Sequence, residues 1–164
     1  MPAFEIASLS SLQQFEGREF PATDWFVVTQ DRIRNFADAS EDHQWIHLDP
    51  ERAQRESPFG GTVAHGFLTL SLLSYFMGQA IRIRGGVTMT INYGLNKVRF
   101  PSAVRAGSQI RARVTLLSVQ PSPQTTSPEF VDATYLLRLE SESSGKPVCV
   151  AEWLVRYYPR ADAR

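Results

Sequence analysis

The sequence predicts an α+β fold, an antiparallel sheet wrapped around one buried helix, and three observations carry that expectation. Residues 64–80, AHGFLTLSLLSYFMGQA, lie within a long uncharged run, with Phe67, Leu68, Leu70, Leu72, Leu73, Tyr75, Phe76 and Met77 spread around a helical wheel. A helix apolar all round is a buried one. After Gly85 and Gly86 the apolar period drops to two and stays there through four strand-like stretches, while the first half of the chain reads as helical. Helices gathered on one side of an antiparallel sheet define the class. Ser71, Ser74 and Gly78 form a small-residue stripe on which the sheet is expected to lie close.

Residues 63–81 are nearly long enough to cross a bilayer. His65, Gly66, Gly78 and Gln79 interrupt the run, and amphipathic strands follow it, so no membrane span is expected. With 164 residues, 43% hydrophobic and 21% charged, the chain fills one core, which predicts a single domain over 1–164 with 1–23 as a lead-in. Seventeen basic residues balance seventeen acidic ones, so no net field draws the chain to nucleic acid or an anionic membrane. The opening MPAFEIASLSSLQQFEG lacks a basic region followed by a continuous apolar core, and is not read as a signal peptide. A lone Cys149 in a strand-like run reads as a small core residue in a reducing compartment, which points to the cytoplasm.

In chain order, residues 1–23 carry weak periodicity and read as irregular or briefly helical. DWFVVT (24–29) has strand composition, and Thr29 then caps a short helix with Ile33, Phe36 and Ala37 on one face. SEDHQWIHL (40–48) has neither period and reads as an ordered loop. Asp49 and Pro50 restart a helix, an N-cap acceptor followed by the residue best suited to the first helical position. SPFGGT (57–62) turns the chain sharply before the buried helix. Beyond it, Val87, Met89, Ile91, Tyr93 and Leu95 would share one strand face and Thr88, Thr90 and Asn92 the other, with a bulge near Gly94 to Asn96 where the phase slips. Strands over Ile110–Leu116, Val131–Leu139 and Val148–Tyr157 follow, the first two separated by the loop QPSPQTTSPE. Such a sheet leaves an edge strand, which pairing in a dimer would cover.

All three histidines, His43, His47 and His65, fall in one stretch together with Asp42 and Asp49. Hydrogen-bonded imidazoles and helix-capping carboxylates account for such clusters in many proteins. Asp49 fits the cap account; Asp42 does not, because no helical pattern begins there.

The order Phe36, Ala39, Ser40, Asp42, Ile46, His47, Ala53 resembles the signature of the MaoC-like dehydratases and (R)-specific enoyl-CoA hydratases: an aromatic, a small-Gly-Asp, then Asn-Pro-aliphatic-His and a small residue. Glu41 stands for the Gly, Gln44 for the Asn and Trp45 for the Pro. DHQWIH, AHGFLTLSLL and INYGLNKVRFP are closer to the subgroup resembling nodulation protein N. The resemblance spans about residues 24–157 and implies a hot-dog fold, two protomers joining their sheets into a homodimer, and an acyl-CoA or acyl-carrier-protein thioester bound along the interface. It implies Asp42 and His47 as the pair that activates one water, and Gly66 as the backbone donor to the thioester carbonyl.

Hydrating an enoyl thioester requires a base for the water and an acid for C2, roles a carboxylate and an imidazole can divide. Backbone N–H groups opening a helix meet the charge that develops on oxygen. No metal or redox cofactor is expected. His65, Asn92, Asn96, Lys97 and Arg99 are further candidates for substrate contact, the basic residues with Arg105 as partners for coenzyme A phosphates, against the plainer reading of a solvated face. Two other functions share the fold: thioester hydrolysis, which usually lacks the Asp42 to His47 spacing, and acyl binding without catalysis, which would not need the pair. A metal held by Asp42, His43 and His47 is a further alternative, weakened because the segment does not read as helix.

Overall fold

The computed structural model describes residues 2–123 and 129–160. β1 (Phe4–Ile6) leads into a 3-10 helix (Leu9–Phe15), and β2 (Phe26–Val27) precedes α1 (Gln30–Ser40), α2 (Trp45–Leu48) and α3 (Pro50–Glu56). Two helices, α4 (Gly66–Ser71) and α5 (Leu73–Ala80), run into β3 (Ile81–Ile83); four long strands close the chain, β4 (Val87–Arg99), β5 (Gln109–Pro121), β6 (Val131–Ser141) and β7 (Cys149–Pro159). The main sheet has the order β2-β5-β6-β7-β4, antiparallel throughout, and β1 pairs with β3 in parallel.

Period-two patterning sets the inner face. Ala112, Val114 and Leu116 of β5, Tyr135, Leu137 and Leu139 of β6, and Ala151, Trp153 and Val155 of β7 turn inward and bury against Ile33, Leu68, Leu73 and Phe76 of the helices. The sheet thus curls about α4 and α5 in the hot-dog arrangement of an α+β protein. Burial pushes the Cys149 thiol up to about 11, so it serves as core filling and not as a nucleophile. No helix of the described residues is long and apolar enough to cross a membrane.

Several elements differ from expectation. Residues 1–23 do more than lead in: Ile6, Leu12 and Phe20 are buried in the main core. Their weak periodicity follows from packing one at a time from a short strand, a 3-10 turn and a loop. DWFVVT contributes only the two paired residues of β2, and the expected loop at 40–48 contains the single turn α2. Of the QPSPQTTSPE loop, Gln120 and Pro121 belong to β5, and residues 124–128 lie outside the described residues.

The central helix is two helices meeting at Leu72, where the Ser71 hydroxyl donates to the Leu68 carbonyl at 2.7 Å. Such back-bonding bends helices. Nor is it enclosed: Phe67 is 71% exposed, Tyr75 is exposed, and Ser71, Ser74 and Gly78 line open space instead of meeting the sheet. Apolar residues all round a helix announce that every face will be covered, not that one chain does the covering.

In β4 the expected bulge near Gly94 to Asn96 is present as register shifts between Asn92 and Gly94 and between Leu95 and Lys97, and another shift lies between Val87 and Met89. These offsets break up the predicted faces. Thr90, Asn92 and Leu95 pair with the inward Tyr157, Val155 and Trp153, whereas Met89 and Ile91 pair with the outward Tyr158 and Arg156. Two polar residues, Thr90 and Asn92, therefore face the helix beside Leu95, while the apolar Met89 and Ile91 face out.

Leu12→Ala should lower the unfolding free energy by about 3 kcal/mol in urea titration, the cost of emptying a buried leucine site. A change below about 0.5 kcal/mol would mean that the N-terminal residues are not part of the cooperative core.

Candidate functional site

Helix α1 starts on Thr29, whose side chain accepts the Arg32 N–H, and ends at Glu41, which adopts φ 60 in the left-handed region. Glu41 stands where the resembling pattern has glycine, the residue for which that conformation carries no steric cost. The turn it makes releases the chain from α1 and presents Asp42. Gln44 then takes the N-cap position of α2 and Trp45 its first position, where the pattern has a proline suited to helix starts. The Trp45 ring packs under the Arg52 guanidinium at 4.3 Å instead. Asp49 accepts the Arg52 N–H and caps α3, as its neighbour Pro50 predicts.

This scaffold buries His47. Its Nδ1 lies 2.6 Å from the Val63 carbonyl oxygen, and since a carbonyl only accepts, Nδ1 carries the proton and Nε2 the lone pair. Burial pushes the His47 imidazole below its ordinary value, the Val63 carbonyl opposes this, and His65 adds to the lowering. His47 is thus held neutral, as a proton acceptor. Gln30 reinforces it: its amide donates to the His47 carbonyl at 2.7 Å and its oxygen accepts from the Thr62 hydroxyl. Sequence gave no sign of Gln30 or Thr62, which look like an ordinary first-turn residue and a turn residue until the two segments are brought together.

His65 is buried too, and its Nε2 lies 2.9 Å from the Asp42 carbonyl oxygen and 4.0 Å from Asp42 Oδ2. The His47 and His65 rings stack with centroids 3.7 Å apart and planes at 26°. One carboxylate oxygen of Asp42 and one ring nitrogen of each histidine lie within 4.8 Å of one another. Asp42 and His47 therefore do converge, and His65 joins them. His43 does not: it is exposed and bonded to Asp38 at 3.0 Å, so the donor set that could chelate a cation is Asp42, His47 and His65, and the grouping of Asp42, His43 and His47 is not formed.

Gly66 begins α4, and its N–H, as the first in the helix, has no acceptor within it. A Cβ at Gly66 would stand 3.0 Å from the Phe100 ring, which explains glycine here by close approach. Beyond Gly66 runs a groove between the helices and the inner face of β4 and β7. It comprises cavities of about 300 Å³ and 380 Å³ that share Ser74, Asn92 and Trp153. The first reaches Phe36, whose ring lies 5.1 Å from that of His65. The second ends among Gly78, Ile83 and Val87.

Of the other candidates, Asn92 lines both cavities and accepts the Trp153 indole N–H at 2.7 Å. Asn96 sits at the second bulge of β4, exposed. Lys97 and Arg99 pair with outward residues of β7, so they face away from the groove of their own chain; Lys97 is 3.9 Å from Glu152 and Arg99 donates to the Val98 carbonyl. Arg105 donates to the Gly60 carbonyl at 2.8 Å and helps shape the turn before α4.

Comparison with known proteins follows the same lines. A family profile described as MaoC like domain matches residues 11–133. The chain is 47% identical over 157 residues to 3-hydroxyacyl-thioester dehydratase Z of Mycobacterium tuberculosis, covering 96% of this chain and 99% of that one. It is 43% identical over 147 residues to nodulation protein N of Rhizobium leguminosarum bv. viciae, covering 90% of this chain and 89% of the other. The crystal structure of a MaoC-like dehydratase from Rhodospirillum rubrum superposes with TM-score 0.73 at 25% identity, over 94% of this chain and 98% of that one.

The two kinds of histidine environment should separate by NMR titration, His47 titrating below 6.5 and His43, raised by its bond to Asp38, above it. Since the folded His47 value is depressed, the unfolded chain takes up that proton first on acidification. Its contribution to stability is full above 6.5 and lost as pH falls through the folded value. His47→Gln should therefore flatten the stability profile below 6.5; an unchanged slope would count against the buried neutral ring. Glu41→Gly should raise stability by about 1 kcal/mol in urea titration by relieving left-handed backbone strain.

Proposed function

The chain belongs to the MaoC-like domain family, and from that membership we propose that it adds water reversibly to trans-2-enoyl thioesters, giving (R)-3-hydroxyacyl thioesters of fatty-acid metabolism. It is a hydro-lyase. The observation that carries the mechanism is the convergence of Asp42 and His47 within 4.8 Å beside the start of α4. Two hydrogen bonds of about 2.8 Å meeting at the tetrahedral angle on one water oxygen span roughly 4.6 Å, which is inside that limit, and we assign one water to both groups.

Both groups present acceptors to that water, the Asp42 carboxylate and the lone pair of the neutral His47. The water donates to both, and an oxygen lone pair is left directed at C3 of the substrate. As the C3–O bond forms, a proton passes from water to the base, and the C2=C3 electrons move toward the thioester carbonyl. Negative charge collects on its oxygen, where the Gly66 N–H donates; loss of one such donor costs about a hundredfold or more in rate. The Asp42–His47 pair then returns one proton to C2, so that the water's OH ends on C3, its other proton is balanced at C2 and the pair regains its starting state; the reverse sequence expels water. The steps call for a base, an acid and a donor to the oxyanion, and for no metal or redox cofactor.

The groove beyond Gly66 is the place we assign to the acyl chain, apolar along Leu70, Leu73, Ile83 and Val87. The thioester carrier, coenzyme A or acyl carrier protein, would then lie at the mouth near Phe67 and Phe100. Both rings are exposed in the single chain, and β4 offers thirteen residues of free sheet edge. Pairing of two such edges in a homodimer would cover them and close the site. A cytoplasmic setting agrees with the reduced, buried Cys149.

The decisive experiment follows the enoyl absorbance of crotonyl-CoA and resolves the product by chiral chromatography. Asp42→Asn and His47→Ala should each lose about a thousandfold in kcat with unchanged circular dichroism, wild-type product should be the (R) isomer, and a chelator should leave the rate unchanged. Release of free thiol in place of hydroxyacyl thioester would replace hydration by hydrolysis. Gly78→Phe should cut kcat/KM for medium-chain enoyl-CoA at least about tenfold while sparing crotonyl-CoA, because a ring there fills the far cavity. Sedimentation at micromolar concentration should give the mass of a dimer.

A further inference from the structure

We propose that His65 is a positioning residue of the hydration site, the one side chain that ties together the three parts on which the reaction depends. The proposal rests on the hydratase reading and gives His65 a different role from the substrate contact its position in the sequence had made it a candidate for. Three separate contacts carry it. The Asp42 carbonyl 2.9 Å away can only accept, so His65 Nε2 holds the proton and anchors the main chain of Asp42. The His65 ring lies flat on the His47 ring at 3.7 Å and fixes the side from which His47 can be approached. The His65 carbonyl accepts the Thr69 N–H at 3.2 Å, which makes His65 the N-cap of the helix opening with Gly66.

The remaining atom of the ring argues in the same direction. Nδ1 is buried without a hydrogen-bond partner, and the residue is 3% exposed. Buried polar atoms left unpaired in this way call for an explanation. A purely structural filler of this space would be an apolar ring, which leaves no lone pair stranded, so the imidazole is kept for its one donor. Nor can substrate use that donor without releasing Asp42. Among the described residues, the carboxylate gathered with the two imidazoles is that of Asp42 from the loop; Glu41 is exposed and His43 turns to Asp38.

The test compares His65→Phe, which keeps ring and volume without a donor, with His65→Gln, whose amide nitrogen reaches to about where Nε2 stands. The expected result for His65→Phe is a fall in kcat of about a hundredfold with KM for crotonyl-CoA within threefold, since a misplacement of about 1 Å has that effect. His65→Gln should recover to within about fivefold of wild type. Should His65→Phe fail to fold, His65→Asn, too short to reach the Asp42 carbonyl, takes its place. The proposal is overturned if the glutamine variant is as impaired as the donor-free one, if KM rises while kcat holds, or if all variants match wild type. Nitrogen-15 imidazole spectra of the unmodified protein decide it without activity: a proton on His65 Nε2 supports it, and a His65 whose Nε2 carries none overturns it. A wild-type protein that does not hydrate crotonyl-CoA while showing the expected spectrum would overturn the hydratase reading alone.

Discussion

The site depends on how residues 62–65 are held, a short extended piece of chain with every residue buried. Buried backbone must find partners for its polar groups, and here the partners lie on both sides. On the core side Ala64 donates to the Val104 carbonyl and Ala106 to that of Thr62; on the other, Val63 donates to the Ile46 carbonyl and its own carbonyl meets His47. Satisfying four ordinary peptide groups thus sets the tautomer of His47 and holds His65, the N-cap of α4, against Asp42 and His47. The grouping of Asp42, His47 and His65 is a by-product of backbone accounting.

Around this clamp the fold keeps one side of its central helix open. In most folds an exposed Phe67 and Tyr75 beside a groove would be a defect. Here the same exposure, with polar Thr90 and Asn92 turned inward by the offsets in β4, produces a channel of mixed character instead of a filled core. The bulges matter because the side-chain period of a strand is two: one extra residue exchanges the faces for everything that follows. Without them Met89 and Ile91 would close the channel.

The departures from the family pattern are absorbed locally. Glu41 adopts the left-handed turn that glycine takes without cost, and Trp45 begins α2 in place of proline while its ring finds Arg52. With both departures in place, Asp42 and His47 still come together. Strain of this kind persists where surrounding contacts over-determine the conformation, and the Asp42 carbonyl bonded to His65 is such a contact.

Local patterning in the sequence determined the α+β class, the caps at Thr29 and Asp49, the inward residues of β5, β6 and β7, and the place of the bulge in β4, because each follows from neighbours a few positions apart. The resemblance to the MaoC-like pattern brought forward Asp42, His47 and Gly66, whereas the clustering of acids and imidazoles alone did not separate His47 from His43. Only the tertiary structure decided that His65 turns to Asp42 and His43 away from it, that Gln30 and Thr62 support His47, that Ile6, Leu12 and Phe20 enter the core, and that the helix breaks at Leu72 with one side uncovered. The physical reason is the same in each instance: these outcomes hang on hydrogen bonds and contacts between segments far apart in the chain, and periodicity records which residues want burial but not which partner will bury them.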